Sequence, residues 1–243
     1  MAQRLLMRRV LGVRMAAVSQ SVKRLEQGTF HNRSLVIPNW FDNDRYRPRQ
    51  PAEREAARAA FGIDPGATVI STVANCSTIK NHAAVLRAMA SVSAAVNIIY
   101  LHAGDEKEDP SERALAARLG IADRVKFLGA VEDVRAVLDA SDLFVMPSLK
   151  EGCSIATIEA MGVGVPVALS DVEGLRDFRE TCSSIYWIEP TARGVGDAIL
   201  HFHAAGAVER NEVGEELSAA AHRNFGISTG AAQYAALYRG EKL

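Results

Sequence analysis

From Leu35 onward the chain alternates short β-branched runs with Ala-, Leu- and Arg-rich stretches of helical length. The runs Ala67–Val73, Val96–Ala103, Arg124–Leu128, Asp142–Met146, Val165–Leu169 and Ile185–Ile188 set apolar residues on consecutive positions. Strands of that kind are buried on both faces, the condition of a parallel sheet. Between them, Ala52–Ala60, Ala83–Ser91, Ser111–Leu119, Val131–Ala140 and Ser154–Val163 read as helices. Strand–helix alternation with connections of a few residues predicts a doubly wound α/β sheet. The stretch from about Val208 to Leu237 reads as helix broken near Phe225–Ser228, with Ser228 or Thr229 capping its last part. Pro38, Pro48 and Pro51 punctuate a linker ahead of the alternating body.

Composition changes this picture little. The 243 residues are 48% hydrophobic and 23% charged, ordinary for a folded chain with ample core. Cys76, Cys153 and Cys182 are scattered, form neither a disulfide framework nor a metal-ligand spacing, and point to a reducing cytoplasm. No apolar run approaches the roughly 20 residues that span a bilayer. Charge is more telling. Residues 1–33 carry seven basic side chains against Glu26 alone, whereas 21 basic and 28 acidic residues follow. The acidic body argues against a nucleic-acid partner. The basic, apolar-rich leader reads as a strand and helix with neighbours elsewhere, or as a surface for a membrane or a second copy. Its Leu5, Leu6, Val10 and Leu11 are the residues expected to seek that partner.

Ligands of such sheets bind beyond the carboxyl ends of the strands, near the switch point. Three loops occupy that edge: Ala74–Lys80, Gly129–Glu132 and Pro147–Cys153. In the last, Glu151 and Gly152 lead into a helix starting near Ser154, and Glu159 follows about 7.5 Å further along at 1.5 Å per residue. Gly152 would let another group approach the backbone. The free N–H groups from about Cys153 to Ala156 favour an anion. A phosphate there would sit between two carboxylates, which repel it but accept well from hydroxyls. A sugar nucleotide, with hydroxyls on both sides of a diphosphate, satisfies the whole arrangement. Against this, Glu159 facing solvent and Gly152 as a plain turn glycine remain open readings.

The stretch EGCSIATIEAMGVGVPV resembles the E-x7-E motif of retaining glycosyltransferases of the GT-B fold, family four in sequence-based classifications. VSQSVKRLEQ followed by SLVIPNWFDNDRYRP is similar to that family's domain crossing, and KNHAAVLRAM to its diphosphate-lysine helix. RVKFLGAVEDVRAVLDASDLFVMPSLKEG follows its path from the base-binding loop to the first glutamate, and FGISTGAAQYAALY resembles its closing helix. The likeness covers residues 12 to 239.

The resemblance implies a donor-binding half of the enzyme. Residues 1–33 would be a remnant of the acceptor domain's last strand and helix plus the crossing. Residues 34–222 would form the Rossmann-like nucleotide-sugar domain, and 223–243 the closing helix. It assigns Lys80 to the diphosphate, Glu159 to the ribose, Glu151 to the sugar near its reacting carbon, and the Ser154–Ile155 backbone to phosphate. Gly152 and Cys153 would flank the sugar, and Leu128, Gly129 and Ala130 the base. The implied substrate is a nucleotide sugar, with no metal and no further cofactor. The acceptor would be a glycan, a lipid or a small molecule, and the partner a separate acceptor-domain chain. A binding module that holds nucleotide sugars without transfer is the alternative. Two departures stand out: Asn75 replaces the usual arginine five residues before Lys80, and Trp40 stands where the hinge usually has glycine, so that a bulky residue at a position that can call for positive φ predicts a different local turn. Among the histidines, all expected at the surface or at helix ends, His82 beside Lys80 merits inspection.

Overall fold

The computed structural model describes residues 13–93, 96–106 and 111–241. Its core is a six-stranded sheet, every neighbouring pair parallel, in the order β5-β4-β3-β6-β7-β8. These strands are β3 (Thr68–Val73), β4 (Ile98–Ala103), β5 (Val125–Gly129), β6 (Leu143–Met146), β7 (Val167–Ser170) and β8 (Tyr186–Ile188). The order reverses between β3 and β6, so their carboxyl ends open the crevice where a doubly wound sheet takes its ligand. Residues on consecutive strand positions are shielded together, as at Val69 and Ile70 or Phe144 and Val145, because helices cover both faces. One face carries Val85, Leu86, Met89, Ile199 and Phe202, and the other Ile158, Met161, Leu217 and Phe225.

The covering helices start and stop where local chemistry dictates. They are α2 (Pro51–Ala60), α3 (His82–Ser91), α4 (Ser111–Arg118), α5 (Val134–Ala140), α6 (Ile155–Val163), α7 (Ala192–Ala204), α8 (Ala207–Phe225) and α9 (Ile227–Arg239). Ser154 caps α6 by accepting from Thr157 N–H, and Gly164 ends it at φ 83°, a left-handed turn that glycine makes without a Cβ penalty. Pro51 opens α2, where its missing N–H costs nothing. At the amino edge Asp142 accepts from Arg54, Arg58 and Val69 N–H, which seats α2 against β3 and β6.

Ahead of the sheet lies a small parallel β–α–β unit: β1 (Met15–Ala17), α1 (Gln20–Phe30) and β2 (Ser34–Val36). The boundary expected at 33/34 therefore shifts, since β2 pairs with β1 rather than with the large sheet. The boundary expected at 222/223 falls inside α8. Ser228 and Thr229 do not cap the final helix; Gly226 occupies the cap and Asn43 Oδ1 accepts from Ile227 N–H at 3.0 Å. α7 was not expected at all. Of the leader, Arg14 donates to the carbonyls of Leu237 and Gly240 at 3.1 and 3.2 Å, so β1 is tied to the end of α9. Leu5, Leu6, Val10 and Leu11 lie outside the described residues. No described helix is long and apolar enough to cross a membrane.

Candidate functional site

The switch point brings Lys80 and Glu151 together, 71 positions apart in sequence. Lys80 closes the turn after β3, its N–H donating to Ser77 O at 3.1 Å. Leu149 N–H donates to Ile79 O at 2.8 Å, which joins this turn to the loop after β6. Asn81 then sits at φ 56°, in left-handed geometry. Its side chain does not cap α3; its amide donates to Pro147 O at 3.1 Å and Pro190 O at 3.0 Å, the residues that follow β6 and β8. With the turn so fixed, Lys80 Nζ reaches Glu151 Oε1 at 2.6 Å, and Ser148 Oγ donates to the same oxygen at 2.7 Å. Lys80 is therefore held in an ion pair, with 29% of its side chain exposed.

Glu151 leads straight into the N-terminus of α6. Ser154 Oγ takes the Thr157 N–H at 3.2 Å, while the N–H groups of Ile155 and Ala156 have no acceptor within their own helix. They face the carboxyl edge as anion donors. Asn39 donates to Cys153 O at 2.9 Å, and burial pushes the Cys153 thiol up to about 11, so it is a neutral wall of the site. Gly152 is not where the chain demands a glycine: a Cβ there would meet only Val18 and Val22 at 3.9 Å. The demanding position is Gly174, at φ 88°, where a Cβ would overlap the Glu151 carbonyl. The crossing unit thus approaches the site through α1, whose Ser21 N–H and hydroxyl both donate to Asp177 at 3.0 Å.

Glu159 lies further along α6 beside two residues the sequence did not single out. Burial raises its pKa, while the Tyr46 hydroxyl and the Arg45 guanidinium act in the opposite sense. Arg45 also reaches Asp133 Oδ1 at 3.2 Å and Glu132 O at 3.4 Å, joining Glu159 to the loop after β5. At the end of β5 Gly129 takes φ 68° and its carbonyl accepts from Gly104 N–H at 2.8 Å, with Leu128 half-buried before it and Ala130 exposed after it. Asn75 Oδ1 is committed to Asp105 N–H at 2.9 Å, so this residue serves as a link between the loops after β3 and β4.

Among the histidines, His82 does stand at a helix end, as the first residue of α3, but is fully buried, whereas the expectation fails at His102, fully buried within β4. Burial lowers the pKa of His82 to about 3, and its ring lies edge-on to His102 at 4.5 Å. Trp40 does not take positive φ; its ring packs on Gly230 and edge-on against Tyr234 at 5.3 Å. A cavity of about 760 Å³ lies at the opposite, amino edge around Asp142 and Gly164. Its arginines, Arg49, Arg54 and Arg210, are already engaged by Asp142 or by backbone carbonyls.

A doubly wound sheet with this lysine–glutamate pair at its switch point is the Rossmann-like lobe of a GT-B glycosyltransferase. The chain belongs to the glycosyl transferases group 1 family, whose model matches residues 53–203, more than half of its length. It is 37% identical over 158 residues to a D-inositol 3-phosphate glycosyltransferase of Rhodococcus opacus, a match covering 61% of this chain and 35% of that protein. The chain thus spans about a third of that relative's length. Among solved structures, a glycosyltransferase from Rickettsia africae superposes with a TM-score of 0.88 at 17% identity, covering 98% of this chain and 66% of the other. HepE of Anabaena, solved in complex with UDP and glucose, superposes with a TM-score of 0.84 at 22% identity, covering 93% and 63%.

Proposed function

We propose that this chain supplies the donor-binding half of a retaining glycosyltransferase that uses a nucleotide sugar without a metal. The observation that carries the reading is the Lys80–Glu151 pair at the mouth of the α6 N-terminus, with Glu159 eight positions on. Lys80 and the N–H groups of Ile155 and Ala156 would hold the diphosphate and take up its developing charge as the glycosidic bond breaks. Glu151, with Ser148 behind it, would accept from the sugar hydroxyls near the reacting carbon. Glu159, beside the Tyr46 hydroxyl, would accept from the ribose, and Leu128, Gly129 and Ala130 would flank the base. The exposed Ile79, Leu149 and Ile155 frame the pair and give the acceptor, or an acceptor domain, an apolar rim to meet.

The complex of HepE with UDP and glucose makes UDP-glucose the first donor to test, and the inositol phosphate relatives make a phosphorylated polyol the first acceptor. Thermal unfolding with UDP, GDP and ADP and their glucose or mannose conjugates is the experiment. One nucleotide series should raise Tm in a concentration-dependent way, by mass action on the folded state. No shift with any of them at millimolar concentration would remove the donor-site reading.

A further inference from the structure

Beneath the Lys80 loop lies a second cluster of chemically active side chains that the donor site does not use. Cys76 sits in the loop after β3, His102 near the end of β4, and Glu112 in the first turn of α4. Cys76 and His102 are fully shielded from solvent and Glu112 is 4% exposed. One ligating atom of each lies within 4.8 Å of the other two. The Cys76 thiol donates to Glu112 Oε2 at 3.1 Å, and its sulfur is 3.7 Å from His102 Nε2. A buried imidazole ordinarily finds good partners for its ring nitrogens. Among the described residues His102 Nδ1 has no hydrogen-bond partner, and Nε2 makes the long sulfur contact; the ring also feels the Ala74 backbone. Burial lowers its pKa and so keeps it neutral, with a lone pair to offer.

We propose that Cys76, His102 and Glu112 form a zinc site that staples the Lys80 loop to β4 and α4. The donor set is one sulfur, one nitrogen and one carboxylate oxygen, which suits zinc rather than magnesium or calcium. Zinc bonds of about 2.0–2.3 Å in tetrahedral array set ligand atoms roughly 3.3–3.6 Å apart. The two sulfur distances, 3.1 and 3.7 Å, lie within about half an ångström of that spacing, and the nitrogen–oxygen separation is at most 4.8 Å. Binding moves the thiol proton to solvent and leaves a thiolate, a carboxylate and a neutral imidazole on a dication. The buried unit is then uncharged, as a desolvated site requires. Water completes the fourth position. Cys76 stands four residues before Lys80, so the metal would stiffen the turn that carries the diphosphate lysine without touching the donor. The inference stands apart from the donor reading and does not depend on it.

Titration of the chelator-treated full chain with cobalt(II), followed by zinc, tests it. One equivalent of cobalt should give a thiolate-to-metal charge-transfer band that zinc abolishes, with a rise in Tm. Cys76→Ala should remove the band, and the Cys153→Ala/Cys182→Ala double variant should keep it. Glu112→Gln preserves an acceptor for the thiol and should fold even where Cys76→Ala does not. It should bind metal at least roughly tenfold more weakly. The proposal is overturned by absence of the band in the unmodified chain, by its survival in Cys76→Ala, by its loss in the double variant, or by undiminished affinity in Glu112→Gln.

Discussion

Lys80→Ala is expected to weaken UDP binding roughly ten- to thirtyfold, and the surroundings of Lys80 set that size. A hydrogen bond to a charged group contributes about 1.5–3 kcal/mol net. Lys80 keeps 29% of its side chain exposed, so screening by water puts the ammonium–diphosphate contact near about 1.5–2 kcal/mol. Each 1.4 kcal/mol or so is tenfold in affinity. The free chain adds an opposing term, because the ammonium is already held 2.6 Å from a Glu151 carboxylate that is only 10% exposed. A diphosphate must compete with that carboxylate. Glu151→Gln removes the competing charge yet leaves an acceptor for Ser148, so it should tighten UDP binding roughly three- to tenfold, about 0.6–1.4 kcal/mol. Little of that gain should survive in the double variant, because no ammonium remains to be released. Calorimetry on the four proteins yields the coupling, expected at about 1 kcal/mol. Unchanged UDP affinity in Lys80→Ala, or a loss in Glu151→Gln as large as that in Lys80→Ala, would refute the pairing argument.

Three further outcomes follow from the geometry. Glu159→Ala should weaken UDP and UDP-glucose alike by roughly tenfold, whereas Glu151→Ala, which also frees Lys80 from its carboxylate, should leave UDP binding no weaker and weaken only the sugar conjugate; equal losses for both ligands in both variants, by calorimetry, contradict this division. Stability should fall as pH drops from about 6.5 towards 3, because the unfolded chain takes a proton on His82 that the native state, with its pKa lowered to about 3 by burial, refuses. The slope from this group is up to about 1.4 kcal/mol per pH unit, so urea midpoints of His82→Gln should depend less steeply on pH than those of the parent, and equal slopes would count against the burial argument. Gly230→Ala should cost about 1–3 kcal/mol, because the new methyl overlaps the Trp40 ring; measured against a Trp40→Ala parent the same substitution should cost little, and additive losses in denaturant melts would place the strain elsewhere.

The sheet was legible in the sequence because its strands are doubly buried and so write their apolar residues consecutively. Val69–Ile70 and Phe144–Val145 could hardly be read otherwise. α7 was hidden by Gly194 and Gly196 and by two histidines, although Val195, Ala198, Ile199 and Phe202 keep the spacing of one buried face. Glu151, Glu159 and Lys80 were legible through their motif, but their mutual arrangement was not. The Lys80–Glu151 contact depends on β3 and β6 being neighbours, which no local pattern states. Arg45 and Tyr46 come from a proline-punctuated linker without periodicity, and only the folded chain brings them to Glu159. The cluster of Cys76, His102 and Glu112 was invisible for the same reason, its members being 26 and 10 residues apart on three separate elements.

Asn81 leaves that one position with a narrow choice of residue. The backbone there requires a left-handed conformation, which removes the β-branched and bulky side chains. Its amide spends both hydrogens on carbonyls belonging to two different loops. Glycine would meet the first demand and leave Pro147 and Pro190 unanswered. Aspartate would offer acceptors to acceptors, and glutamine would overreach by a methylene. In the family's other members, substitutions at this site should therefore be accompanied by a change in the loops that follow β6 and β8, so that the composition of those two loops can be forecast from a single letter next to Lys80.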